Sequence, residues 1–451
     1  MSTKATAVRT APPAPWVTEQ FAAFERGLNG GAASPVHALR KDALARFSAT
    51  GFPTTKHEEW RFTNLTPLTQ LAFALPDVTV KASDALIHPH VLPGTTCRLV
   101  FVNGRFDPVL SNAVQLPDGI RVESLASALE RDARSLVPLL GSLAAAQENP
   151  FAALQAAFLT DGAFIDVPAG VVLDVPVELL FIAVPGETPV AIQPRNLIRV
   201  GDRARLSVVE TYAGSGDASY LTNVVSEIFL GEGAVLEHDK LQVESGAAFH
   251  IGSTWFRQGR GSTMTSNSIA LGGRLVRNTV TATFAAPGST CTLNGLSLAT
   301  GEQLIDNHTA IDHAHPECAS HELYKAVLDG TSRGVFNGKI FVRQDAQKTD
   351  ARQTNKTLLL SDGATIDTKP QLEIFADDVK CTHGATVGQL DEAQVFYLRA
   401  RGIDEEAARD MLTFAFAADV VERVHVDALR DRLHELLHQR LHAGRISLTR
   451  S

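Results

Sequence analysis

Apolar and polar positions divide this chain into three textures. Up to about residue 160, apolar side chains return every three or four positions, the spacing of one helix face. "PWVTEQFAAFERGLNG" puts Trp16, Phe21 and Phe24 on one side and then meets glycine, a common helix stop. "PVHALRKDALARFSATG" repeats the scheme from Pro35 to Gly51. Further helices are expected across "ESLASALERDARSLVPLLGSL" and "NPFAALQAAFLTDG". "CRLVFVNGRFDP" reads instead as a short hairpin turning at Asn103-Gly104.

From about Ala163 the period drops to two, and Gly plus a small residue recurs at intervals near 15 or 30 residues, as at Gly201, Gly231, Gly246 and Gly272. Short strands joined by glycine corners, with no helices between, suggest a sandwich, a barrel or a solenoid. The quasi-period favours the solenoid, in which each turn buries its inward side chains against its neighbours. In "VRNTVTATF" one face carries Val276, Asn278, Val280, Ala282 and Phe284, and an asparagine in such a row suits a side-chain ladder. A parallel β-helix is therefore expected. After Gln394 the helical period resumes. Asp404 is placed to cap "EEAARDMLTFAFAADVVERV", and Leu429, Leu433, Leu436, Leu437 and Leu441 form a stripe that stops at Gly444. Such a helical pair either caps the solenoid or offers a docking face. The expected division is a disordered leader (1–15), a mainly helical domain (16–160), the β-helix core (161–395) and a C-terminal helical domain (396–451).

Composition narrows the function classes. With 44% hydrophobic and 20% charged residues the chain folds, and a net charge of −9 argues against nucleic acid as a partner. The start, "MSTKATAVRTAPPAPW", has no apolar run of a secretory signal. "VVLDVPVELLFIAVP" is too short and too interrupted to span a bilayer, so no membrane role is expected. The cysteines are Cys97, Cys291, Cys318 and Cys381; without an export signal they point to a reducing cytoplasm rather than a disulfide framework. There is no GxxxxGK[ST] loop and no G-x-S-x-G elbow.

Four groups of residues carry candidate chemistry. In "DDVKCTHGATVGQ", Cys381 and His383 share a strand face with their Cα atoms roughly 6.5 Å apart, a soft thiolate plus imidazole pair suited to iron, zinc or copper. A closed metal site needs four ligands, so spacing leaves the pair open between a site completed from elsewhere and packed core. His308, His313, His315, Cys318 and His321 cluster upstream in no standard finger spacing; solvent-facing or ladder histidines account for them. In extended chain His313 and His315 share a face. His434, His438 and His442 lie four apart on the last helix, beside the leucine stripe, and read as a partly solvated face. Asp362, Asp367, Glu373, Asp377 and Asp378 raise the alternative of a carbohydrate-acting β-helix enzyme with paired carboxylates, although 3 Trp and 4 Tyr are few for stacking on sugar rings.

One stretch goes beyond pattern. "ELYKAVLDGTSRGVFNGKIFVRQDAQKTDARQTNKTLLLSDGATIDTKPQLEIFADDVKCTHGATVGQLDEAQVFYLRARGI" resembles the core of the SufB/SufD family of iron–sulfur cluster assembly proteins. "GFPTTKHEEWRFTNL" and "IDHAHPECASHELYK" look like the SufD branch, and the resemblance runs from Gly51 to about Val424. It implies a right-handed parallel β-helix between helical ends, acting as a scaffold and not as an enzyme. It implies pairing with SufB through the C-terminal part of the β-helix, or a homodimer where SufB is missing. It implies binding of the SufC ABC-type ATPase through the C-terminal helices, here Asp404, Met411, Leu412, Phe414 and Phe416. Carried over residue by residue, His383 matches the family's histidine and Cys381 its cysteine, at a transient iron–sulfur cluster shared with SufB; no cofactor is expected to stay tightly bound to the isolated chain.

Overall fold

A computed structural model describes residues 14–28, 34–113, 116–143 and 149–446; residues 1–13 of the expected leader and the last five residues lie outside the described residues. From Ala163 the chain winds as a parallel β-solenoid, each turn adding one strand to each of two facing sheets. One sheet runs from Cys97–Val102 through Val177–Ala183 and on to Thr349–Leu359 and Val379–Gly388. The other runs from Arg121–Ser124 through Ala163–Val167 to Arg333–Val342 and Thr365–Ile374. A turn takes 26 residues where Phe249 lies beside Leu275 and 32 where Arg333 lies beside Thr365, which explains the drifting repeat. Corners stack backbone on backbone: a Cβ on Gly259 would sit 2.8 Å from the carbonyl carbon of Gly231. Only glycine fits there.

The core lies between the sheets, and in the middle turns it is partly polar. Val276, Asn278, Val280, Ala282 and Phe284 all point into it, as the alternation predicts. Asparagines form ladders: Asn294 Nδ2 donates to Asn267 Oδ1 at 2.8 Å across adjacent turns. Near the start, Phe101, Phe181 and Tyr212 stack with centroids 4.7 and 4.8 Å apart.

The expected helices form at Pro15–Arg26, Pro35–Thr50, Leu125–Leu136, Pro150–Ala157, Glu405–Val421 and Asp427–Ile446. The last runs past Gly444, where the stripe was expected to stop. A further helix, Glu392–Ala400, precedes them. Asn103 and Gly104, both at positive φ, make the two-residue hairpin turn. The N-terminal part is not helix alone, because its short strands 97–102 and 121–124 open the two sheets.

Helices clad the outer faces and leave the last strand, Val379–Gly388, exposed, although Lys369 of the last turn pairs with Glu58 at 2.7 Å. The N-terminal part packs Phe151 of its helix Pro150–Ala157 and Phe73 of a loop with outward-facing Phe249, Ile251 and Leu275. The C-terminal helices pack Ala417, Val420, Leu433 and Leu437 with Leu241, Ile269, Leu296 and Leu323 of the other sheet. They do not cap the end.

The stretch "GFPTTKHEEWRFTNL" is a clamp on the solenoid wall. Buried Trp60 lies 3.7 Å beneath the guanidinium of Arg277. Arg277 Nη1 donates to Asp306 Oδ2 at 2.7 Å and to the Glu59 carbonyl at 2.7 Å. Thr63 donates its hydroxyl to the same carboxylate, and His308 Nε2 stands 3.0 Å from Asp306 Oδ1.

Candidate functional site at the open end of the solenoid

The last strand, Val379–Gly388, pairs on one side with Thr349–Leu359 and has nothing on its other edge among the described residues. Thr365–Ile374 ends the facing sheet in the same way. Alternation sends Val379, Cys381, His383 and Ala385 toward the interior and Lys380 and Thr382 outward. Val379 and Cys381 pack against the core, whereas His383, with no further turn above it, is exposed to solvent. An unpaired edge with inward side chains uncovered is a ready surface for another chain.

The thiol and imidazole thus share one face, and Ala351 and Gln353 are their neighbours in register. Burial pushes the Cys381 thiol above its ordinary range and nearby Asp350 adds to this, while a hydrogen bond from the Ala351 backbone opposes it. It holds its proton in the isolated chain at neutral pH. Among the described residues no three His, Cys, Asp or Glu side chains converge on a metal position.

Other candidates go elsewhere. His313 is fully buried, its Nε2 2.9 Å from Ser320 Oγ, and burial lowers its pKa to about 4. His315 does not share its face, because strand Leu304–His313 ends before the Pro316 corner. Cys318 packs at that corner with its thiol 3.5 Å from the Pro316 carbonyl. His308 faces Asp306 and Glu59, and His321 is half-buried. Cys97, Cys291 and Cys318 are buried free thiols whose pKa values burial raises. On the last helix His434 and His438 lie over the Phe414 ring at 5.7 and 4.3 Å, and His434 meets Glu422 at 3.0 Å; the side chain of His442 lies outside what the structure describes.

The carboxylates form no catalytic pair. Asp367 is bound by Arg333 and Glu373 by Lys339, on the outer face. Six residues apart on one strand, they are roughly 20 Å from each other, against the 5–10 Å of glycoside-cleaving pairs. Asp362, Asp377 and Asp378 sit exposed in turns.

A second surface lies on the C-terminal helices. Asp404 caps the helix Glu405–Val421, accepting from the Ala407 backbone at 2.9 Å. Phe414 and Phe416 lean on the core of their own chain, with Lys325 Nζ donating to the Phe416 carbonyl at 3.0 Å. Met411 is 50% exposed, and Leu412 lines a groove with Ala393, Gln394, Tyr397 and Leu398. Phe396 (71% exposed) and Tyr397 (57%) extend this apolar face. Sequence reading placed them in the helical region after Gln394 without drawing a separate helix there or singling them out; "EAQVFYLRA" after Asp391, a capping residue, was the available signal.

Inside the last turns lies Glu322, fully buried, accepting from Gln353 Nε2 at 2.6 Å. Desolvation raises its pKa to about 7. A raised carboxyl stabilises the fold below its unfolded value and loses that contribution as pH rises through about 7. Glu322→Gln is therefore expected to gain stability over the native chain at pH 8, by on the order of 3 kcal/mol, and little at pH 4. Urea midpoints at the two pH values check this; a difference that does not change with pH would refute it.

A family model described as "SUF system FeS cluster assembly, SufBD core domain" matches residues 182–416, and one described as "SufBD protein N-terminal region" matches residues 17–179. The match begins well before Gly51. The chain is 35% identical over 407 residues to an iron–sulfur cluster assembly SufBD family protein of Synechocystis, covering 88% of this chain and 89% of the relative. It is 34% identical over 417 residues to the iron–sulfur cluster assembly protein SufD of Escherichia coli, covering 89% and 92%. It is 30% identical over 430 residues to a chloroplastic protein of Arabidopsis thaliana, ABCI7, covering 93% and 89%.

Proposed function

The chain belongs to the SufBD family of iron–sulfur cluster assembly proteins, and on that premise we propose that it is the SufD-type half of a two-chain scaffold. SufB joins it at the bare last turn, and the SufC ATPase docks on the C-terminal helices. The cluster is cargo, built where the two scaffold chains meet and then passed on. The observation that carries this reading is the exposed final strand, which presents Cys381 and His383 on one face with no third ligand converging on them among the described residues.

That geometry suits transfer. A half-buried, protonated thiol releases its proton when a cation arrives, so metal binding and deprotonation are coupled. His383 acts as ligand or proton acceptor, and Cys381 as the secondary ligand or sulfur contact. ATP-driven dimerisation of SufC twists the scaffold pair and opens this seam. Where SufB is missing, the same edge pairs with a second copy of the chain. The scaffold works in the cytoplasm, where its thiols stay reduced.

Co-expression tests the whole reading: tagged chain should carry SufB and SufC through purification, and recovery of the chain without either would sink it. Within it, Met411→Asp is expected to weaken SufC capture at least about 30-fold by placing a charge in an apolar docking face. SufB pairing and the thermal transition should hold, since Met411 is half exposed. Undiminished SufC capture would move the docking face elsewhere.

A further inference from the structure

Gln353 lies directly beside His383 across the last two strands of its sheet, and Glu322 lies beside Gln353 one turn further in. The three form one inward column. Gln353 is buried, and its amide nitrogen is committed to Glu322 at 2.6 Å. The other end of the amide, Oε1, is buried with no hydrogen-bond partner among the described residues. Leaving such an acceptor unsatisfied costs about 1–3 kcal/mol, so packing does not explain a glutamine here. Yet space is kept for it: a Cβ on Gly338 of the facing sheet would lie 2.3 Å from Gln353 Nε2 and 2.8 Å from its Cδ.

Few donors can reach that carbonyl. The facing strand puts Pro370 beside Gly338, and proline has no N–H to offer. The Thr368 hydroxyl already donates to Asn355 Oδ1 at 3.0 Å. Ala385, beside Asn355, brings no polar side chain. The inward donors that remain on the last strand are the Cys381 thiol, a weak donor paired with Ala351, and the imidazole of His383, which alone of the two stands in register with Gln353.

We propose that Gln353 is a positioning residue for His383: its Oε1 accepts one ring N–H, fixing the tautomer so that the other ring nitrogen offers its lone pair to incoming iron. This rests on the reading of His383 as a ligand at the scaffold junction. A neutral imidazole has one donor and one acceptor nitrogen, and either tautomer is available unless a neighbour selects one. Metal-binding histidines are held in this way by an acceptor behind the ring. Glu322 holds Gln353 in turn, so the order is set from inside the solenoid before a partner or a metal arrives.

The test uses the full chain, labelled with 15N-histidine and free of metal, with His383→Ala assigning the signal. The native chain should show His383 in one dominant tautomer, and Gln353→Met should show both. In the co-expressed complex Gln353→Met should lower cluster content about tenfold while assembly is retained. A native His383 that already samples both tautomers overturns the proposal, whether or not the Gln353 variant folds. So does a single tautomer that survives Gln353→Met. If His383→Ala keeps full cluster content, it is the ligand reading that fails, and the two failures are read separately.

Discussion

His383→Ala is expected to cut the iron and acid-labile sulfide of the co-purified complex at least about tenfold, without loosening the complex. His383 is exposed on the last strand, so its removal opens no cavity and should change the chain's own stability by about 0.5 kcal/mol or less. The effect falls on the cargo because the chain supplies no third ligand to take its place among the described residues. Cys381→Ala should cost less, a few-fold, and slightly more in stability because that side chain is partly packed. Metal and sulfide content, with visible absorption, read both variants. Normal cluster content in an intact His383→Ala complex would remove the assigned role.

The largest effect on folding is expected at Arg277→Met. The substitution leaves Asp306, fully buried and held at a pKa of about 2 against desolvation by His308 and Arg277, without its permanently charged guanidinium partner. Breaking one side of a buried ion pair costs about 3–5 kcal/mol. A depressed carboxyl stabilises the fold above its unfolded pKa and loses that contribution as pH falls through its folded value. The native chain should therefore hold its Arg277-dependent stability at neutral pH and shed it only toward about pH 2. The variant should also free the Glu59 carbonyl and Trp60, so protease should cut between Thr54 and Asn64 faster than in the native chain. A urea midpoint within about 1 kcal/mol of native, with unchanged proteolysis, would show that the clamp is dispensable.

The solenoid was legible because its cause is local: alternation and corner glycines act within a few residues of one another. The same holds for the Asn103-Gly104 hairpin and the Asp404 cap. The Arg277 clamp was not legible, since it joins residues 218 positions apart and nothing in "EEWRF" names its receptor. Helical periodicity likewise separated two faces of Glu405–Val421 without showing which one the chain itself covers. Phe414 and Phe416 turn toward their own sheet, while Met411 stays outside with Phe396 and Tyr397. Cys381 and His383 were visible as a pair, but the bare turn around them follows from helices lying along the walls instead of across the end.

The two ends of the solenoid are unlike, and this limits how large an assembly can grow. At the N-terminal end the sheets close with short antiparallel strands, Arg105–Phe106 and Asn112–Ala113 on one and Arg121–Ser124 on the other. Such stubs offer little for an extra strand to follow. If partners join at the bare last turn, as proposed, a molecule with one pairing end and one blunt end joins head to head and then stops. Under the proposed pairing, two-fold closure replaces a fibre, although the last turn exposes the kind of backbone ladder from which fibres are built.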